Sequence, residues 1–278
     1  MENLPVEVLE IVFCQMSKME DIQMCLNTNS KWRKIIENMW AKKLLSVKIL
    51  VVGSSESPLE IIDLSNPNIK PVTIQVDESV SIFGSTGGIL QNQPLICGGS
   101  NMFDEITSEI SIIGMPNHCF EMIMPRFNAS SIVLNESKLW VTGGWNHEDG
   151  MTNSTEIISL DQPPVPGPDL PFTVIDHSMV LVDPTTIYLI GGCQNGRESD
   201  ANKTWIIDPT NDFQVKEGPS LNISRVNPSC SKMKIHGKIF LVVAGGSNYH
   251  GNAGDTVELL DTTCPEQGWK MGMKYYIS

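Results

Sequence analysis

Residues 140–144 read WVTGG, and residues 156–159 read EIIS. That pair of short runs recurs along the chain. Apolar runs closed by glycine stand at 49–53 (ILVVG), 95–99 (LICGG), 140–144, 188–192 (YLIGG) and 241–246 (LVVAGG), four of the five with a full Gly-Gly pair. After each comes a polar loop rich in glycine or asparagine, then a second run: 60–63 (EIID), 111–114 (SIIG), 156–159, 205–208 (WIID) and 258–261 (ELLD). The last residues of these second runs are 51, 45, 49 and 53 positions apart, and in the four full units they lie 15, 15, 16 and 15 residues beyond the second glycine. A recurrence of roughly fifty residues marks a repeat architecture.

Two weaker strand signals separate each second run from the next Gly-Gly, for example 119–123 followed by 130–134, or 213–215 followed by 228–233. Each unit therefore holds about four short strands. Prolines and glycines punctuate the connections, and no long stretch from residue 46 onward shows helical periodicity. A lone four-stranded sheet cannot cover both of its faces, so such units stack around an axis, sharing apolar surface, as a β-propeller. The Gly-Gly pair is expected where backbones crowd at a strand end and φ turns positive, since a Cβ would obstruct both.

These residues resemble kelch repeats: the Gly-Gly, the strand ending in Asp about 15 residues later, an aromatic further on (Phe120, Phe213, Trp269) and the run Met124, Pro125, Arg126. The resemblance covers roughly residues 46–273. The first unit departs from it with Gly53 alone, and Ile or Leu stands beside the Asp where the family has Tyr. The family usually has six blades, whereas five units are legible here. Residues 274–278 (KYYIS) closing a five-bladed ring and a partial six-bladed ring both remain open readings. The resemblance also implies that the loops after each Gly-Gly gather at one end of a central channel, where partners bind. Its candidate substrate-binding residues are Phe103; Trp145, Asn146 and His147; Asn195 and Arg197; and Asn248, Tyr249 and His250. Trp, Tyr and Arg among Asn and His have the composition of a recognition surface.

Residues 4–40 are written differently. Apolar side chains fall at Val8, Leu9, Val12, Phe13 and Met16, then Ile22, Cys25 and Leu26, then Trp32, Ile35, Ile36, Met39 and Trp40, spacings of three and four that predict helices. Pro5 suits a first helical turn, and Glu7 and Glu10 near it favour the positive end of the helix dipole. The division expected is a helical module over 1–45 and a propeller over 46–278. So small a module, with no disulfide or metal, leaves part of its apolar surface for something outside to cover.

That module resembles an F-box: Leu4, Pro5, Glu7, Val8 and Leu9, then Ile11 and Phe13, then Asp21 and Ile22, ending in Trp32 and Arg33. Asn29 departs from the pattern, which commonly has Cys before the Trp. The resemblance implies docking on the Skp adaptor of a cullin-RING (SCF) ubiquitin ligase. It places adaptor contacts or their support at Leu4, Pro5, Val8, Leu9, Ile11 and Phe13, with Ile22 and Trp32 completing the set and Trp32 mainly stabilising the module itself.

The net charge of −13 is uneven: residues 1–45 carry six acidic and six basic side chains, which leaves 26 acidic and 13 basic beyond them. Such a field repels phosphate backbones and anionic membranes and draws in basic protein segments, so neither nucleic acid nor a membrane is expected as a partner. No apolar run approaches the roughly 20 residues that span a bilayer, and the acidic opening is unlike a secretion signal, which predicts an intracellular protein, cytoplasmic or nuclear. Five Asn-x-Ser/Thr sequons would matter only in a secreted chain. Seven scattered cysteines without a CxxC pair predict reduced thiols.

The five histidines share no ligand spacing, and no HExxH, GxSxG or P-loop occurs. Residues 84–88 (GSTGG) lack the Lys of a phosphate loop and read as a tight turn. The expectation is therefore a receptor subunit with no catalytic residue, cofactor or metal, which holds an unidentified target protein while other subunits transfer ubiquitin. The alternatives are a kelch scaffold or cytoskeletal binder, and a propeller enzyme with a channel-bound cofactor.

Overall fold

The computed structural model describes residues 48–51, 59–63 and 72–74 and, from 83 to 272, all but 92, 102–104, 113–119, 136, 236 and 249–255. The adaptor-binding residues expected between Leu4 and Trp32, and the closing strand expected at 274–278, lie outside the described residues. The chain forms two compact units, Met1–Glu78 and Ser79–Ser278.

In the first unit, β1 (Lys48–Val51), β2 (Leu59–Asp63) and β3 (Val72–Ile74) form an antiparallel sheet in that order. Val51 pairs with Glu60 and Lys48 with Asp63, so the first glycine-ended run and its partner run are neighbours, as the repeat requires.

The second unit holds four sheets in a propeller-like arrangement, and each contains one of the four Gly-Gly runs. The first is β4 (Thr86–Leu90), β5 (Gln93–Cys97) and β6 (Ile110–Ile112). Next come β7 (Ser130–Asn135) and β8 (Lys138–Thr142), whose Gly-Gly leads into the short ribbon β9 (Trp145–Asn146) and β10 (Gly150–Met151) before β11 (Thr155–Ile158) and β12 (Val165–Pro166) complete the sheet. After β13 (Val174–Ile175), the third sheet joins β14 (Ser178–Asp183), β15 (Thr186–Ile190), β17 (Thr204–Asp208) and β18 (Gln214–Glu217), with β16 (Cys193–Gln194) pairing back to β13. The fourth is β19 (Ser229–Ile235), β20 (Lys238–Ala244), β21 (Val257–Asp261) and β22 (Lys270–Met271).

The Gly-Gly run is the second strand of each sheet. Of the weak signals between units, 213–215 becomes the outer strand β18 and 130–134 and 228–233 open the next sheets as β7 and β19, whereas of 119–123 the described residues show only an isolated bridge from Glu121 to Glu109. Residues 84–88 are corrected by this order: Thr86, Gly87 and Gly88 belong to strand β4, with Gly87 opposite Ile96. Gly87 is there because a Cβ would stand 2.1 Å from the Leu95 carbonyl, so the turn composition serves close strand approach instead.

Both faces of the inner sheets are buried, which explains why their strands read as continuous apolar runs. On β8, Leu139 and Val141 pack with Leu95, Ile110 and Ile112 of the sheet before, while Trp140 between them packs with Met179, Ile187 and Leu189 of the sheet after. On β15, Tyr188 and Ile190 turn the other way, onto Leu241, Val243 and Leu260. Each such side chain contributes about 1.5–3 kcal/mol by leaving water. The expected aromatics serve these seams: Phe213 lies 4.6 Å from Trp140 between ring centres, and the Trp269 indole N–H donates to the Pro219 carbonyl at 2.8 Å.

Candidate functional site

The first three Gly-Gly pairs each fasten their own sheet with one N–H and the next sheet with the other. The Gly143 N–H donates to Ser154 within the sheet, and the Gly144 N–H donates to the Val174 carbonyl in the segment that opens the next one. Gly99 bonds in the same way to Arg126, and Gly192 to Arg225. At Gly143 φ is +60°, and a Cβ would lie 2.3 Å from the Val174 carbonyl oxygen, which is the crowding that the sequence predicts.

Just before the first strand of each sheet, one residue takes a left-handed conformation: Gly84 (φ 66°), Asn128 (54°), Asp176 (55°) and Asn227 (55°). Glycine, asparagine and aspartate are the residues that adopt it at low cost. The Asn128 N–H donates to the Gly84 carbonyl at 2.8 Å, Asp176 to Asn128 at 3.1 Å and Asn227 to Asp176 at 2.7 Å, so one chain of hydrogen bonds links the four sheets.

The residue preceding each of these is apolar: Phe83, Phe127, Ile175 and Val226. Each pairs across to the residue following a Gly-Gly, namely Ser100, Trp145, Cys193 and Ser247. An apolar row therefore runs from sheet to sheet beneath the Gly-Gly loops. Phe83 is 55% exposed and its ring centre is 5.4 Å from that of Phe127. Phe127 exchanges two backbone hydrogen bonds with Trp145, whose half-buried ring meets the His147 ring edge-on at 4.9 Å.

The candidate residues divide on this frame. His147 is exposed, and Trp145 is half-buried. Asn146 is 2% exposed, and its Oδ1 accepts the Glu148 and Asp149 N–H groups at 2.8 and 2.7 Å, so this side chain shapes the turn from within. Its counterpart two residues past the next Gly-Gly, Gln194, is also buried and accepts the Trp205 indole N–H at 2.9 Å. Asn195 (φ 49°) is exposed, donates its N–H to the Thr173 carbonyl and accepts the Thr173 N–H on its Oδ1. Arg197 is exposed and Asn248 half-buried, whereas Phe103, Tyr249 and His250 lie outside the described residues.

Carboxylates stand on the same loops and lead-in turns. Glu148 and Asp149 are exposed beside His147. Burial raises the Cys193 thiol pKa first, and the negative charges of Glu198, Asp176 and Asp200 add to the rise. Burial also raises the Asp176 carboxyl. Among the described residues, no three His, Cys, Asp or Glu side chains converge on a point that could hold a metal ion. The Cys97 thiol is buried and pushed up to about 12, chiefly by desolvation, which leaves it unreactive as a nucleophile.

At the other end of the strands, a cavity of about 270 Å³ lies among Tyr188, Lys238, Thr262 and their neighbours. The Lys238 ammonium there is already engaged by Asp261 at 3.1 Å.

No protein-family model and no curated protein matches the chain. Among solved structures, that of YjhT is similar over 80% of this chain and 79% of its own, with a TM-score of 0.61 at 11% identity. At that identity the likeness is one of fold alone. Among the described residues, no helix is long and apolar enough to cross a membrane.

The apolar row was not singled out in the sequence, yet a signal for it is there. An apolar residue, then Gly, Asn or Asp, then any residue, then Ser or Thr recurs at 83–86 (FGST), 127–130 (FNAS), 175–178 (IDHS) and 226–229 (VNPS).

Proposed function

We propose that this chain is the substrate-recognition subunit of an SCF (cullin-RING) ubiquitin ligase. Residues 1–45 dock on the Skp adaptor, and the kelch-like sheets receive a target protein at the loops after the Gly-Gly pairs. The observation that carries the reading is the F-box pattern of Leu4, Pro5, Val8, Leu9, Ile11, Phe13, Ile22 and Trp32 directly ahead of the repeats. The half-exposed aromatics beside those loops support a protein partner, because Phe and Trp seated in a partner's surface carry much of the energy of such contacts. The role supplies no nucleophile: holding a target lysine near a charged ubiquitin carrier raises its effective concentration, and that proximity is the contribution.

The test is co-elution of the full chain with purified Skp adaptor. A complex is expected, and changing Leu4→Ala and Pro5→Ala together abolishes it while thermal melting of the propeller-like unit stays nearly unchanged. If the parent chain gives no complex although that unit is folded, a kelch scaffold or cytoskeletal binder replaces this reading.

A further inference from the structure

We propose that the apolar row beneath the Gly-Gly loops, with the carboxylates on those loops and lead-in turns, receives a basic segment of the partner protein, one that alternates cationic and aliphatic side chains. The proposal rests on the receptor reading of these loops but not on the adaptor.

Three observations meet here. Phe83 is 55% exposed, far more than a Phe whose task is packing, and it continues into Phe127 at 5.4 Å. The row has a regular step, since Phe83, Phe127, Ile175 and Val226 each precede a member of the hydrogen-bonded series Gly84, Asn128, Asp176, Asn227. A strip with one apolar position per sheet suits an extended segment, whose side chains alternate in direction along the backbone.

Charge selects the occupant. Five carboxylates (Glu148, Asp149, Asp176, Glu198, Asp200) stand on the loops and lead-in turns of the two middle sheets. Against them are two cations, Arg197 and Lys203, and Lys203 already pairs with Asp200 at 3.3 Å. The local balance repeats that of the chain beyond residue 45, 26 acidic to 13 basic. An acidic segment would be repelled and a basic one steered in. The Phe and Trp ring faces add cation–π attraction for guanidinium or ammonium groups.

The experiment uses the full chain and a short fluorescein-labelled peptide of alternating arginine, leucine and serine, with a control peptide in which each arginine is glutamate. Fluorescence anisotropy is expected to show saturable binding of the basic peptide that weakens steeply with salt, and none of the acidic one. Phe83→Ala and the pair Glu148→Lys with Asp149→Lys are each expected to weaken binding about tenfold or more, with melting unchanged because all three side chains are exposed. Equal binding of the two peptides, no binding of the basic one, or affinities unmoved by both variants overturns the proposal. Adaptor co-elution is unaffected by any of these results, so the two readings fail separately.

Discussion

Arg126 and Glu156 form an ion pair at 3.0 Å with their side chains 1% and 2% exposed, and the guanidinium also holds the Gly143 carbonyl at 2.7 Å and the Ser154 carbonyl at 2.9 Å. The carboxylate in turn accepts the Ile123 and Met124 N–H groups. Arg225 and Glu258 repeat the arrangement, fully buried, with bonds to Gly245, Thr256 and Ile223. The pair ties the segment opening a sheet to that sheet's second and third strands. Through the Arg126 carbonyl, which accepts from Gly99, it is also tied to the sheet before.

Removing one member leaves a buried charge and unpaired backbone groups. Arg126→Met is expected to cost about 3–5 kcal/mol in urea denaturation. Changing Glu156→Leu in the same chain should recover part of that loss, giving a coupling of about 2 kcal/mol or more. The recovery stays partial because the Ile123 and Met124 N–H groups lose their acceptor. Additive losses in the double variant would show that the two side chains do not act together.

The third sheet dispenses with the pair. Val174 stands where Arg126 and Arg225 stand, two residues before the left-handed Asp176, and Trp205, opposite Leu189, takes the place of Glu156 opposite Val141. Trp205 stacks on Phe172 at 4.5 Å and bonds Gln194. Trp205→Glu therefore places a carboxylate beside Val174 with no guanidinium to meet it. It is expected to destabilise by about 3 kcal/mol or more, read from the denaturation midpoint, and a loss under about 1 kcal/mol would refute this account of the site.

Glycines of similar φ, Gly143 at +60° and Gly196 at +71°, separate crowding from conformational strain. Gly143→Ala meets the Val174 carbonyl at 2.3 Å, whereas Gly196→Ala at φ +71° meets nothing within 4 Å. Gly196→Ala should cost about 1–2 kcal/mol, and Gly143→Ala clearly more, about 3 kcal/mol or above. Equal losses would mean that the Gly-Gly pair is there for φ alone.

What was legible in the sequence is what recurs at fixed spacing. The apolar parts of the runs at 95–99, 140–144, 188–192 and 241–246 lie in β5, β8, β15 and β20, where the repeat puts them, because burial on both faces leaves an uninterrupted apolar run. The Met-Pro-Arg run was visible, but the Arg126 partner was not, since Glu156 lies 30 residues away and reads as an ordinary first residue of a strand. An exposed and a buried asparagine look alike in a loop, and only the backbone N–H groups that Asn146 accepts put its side chain inside the turn. The apolar row escaped notice for the opposite reason. Phe83 and Phe127 precede turns, where a single apolar residue carries no periodicity.

The last prediction concerns pH. His177 is buried between Gly143 and Gly192, hydrogen-bonds the Thr142 hydroxyl at 2.8 Å through Nε2, and is held down to about 3 by desolvation. In the unfolded chain a histidine takes a proton near pH 6.5. Above that pH both states are neutral there, and His177 adds no pH dependence. Below it, the unfolded chain binds a proton that the folded chain refuses, so stability falls as pH drops, by about 1.4 kcal/mol per unit and down to about pH 3. Asp183, Asp208 and Asp261, whose folded pKa values are lowered, act in the same direction only near and below the ordinary carboxylate range, whereas Asp176, raised by burial, acts in the opposite direction and above that range. Between about pH 6.5 and 5 the lowered carboxyls do not contribute and the histidine sets the falling slope, Asp176 opposing it at the acid end of that window, so urea midpoints of the parent should record a loss of up to about 2 kcal/mol. His177→Gln is expected to abolish that slope while lowering stability near neutral pH. A variant that keeps the parent's slope would place the titrating group elsewhere.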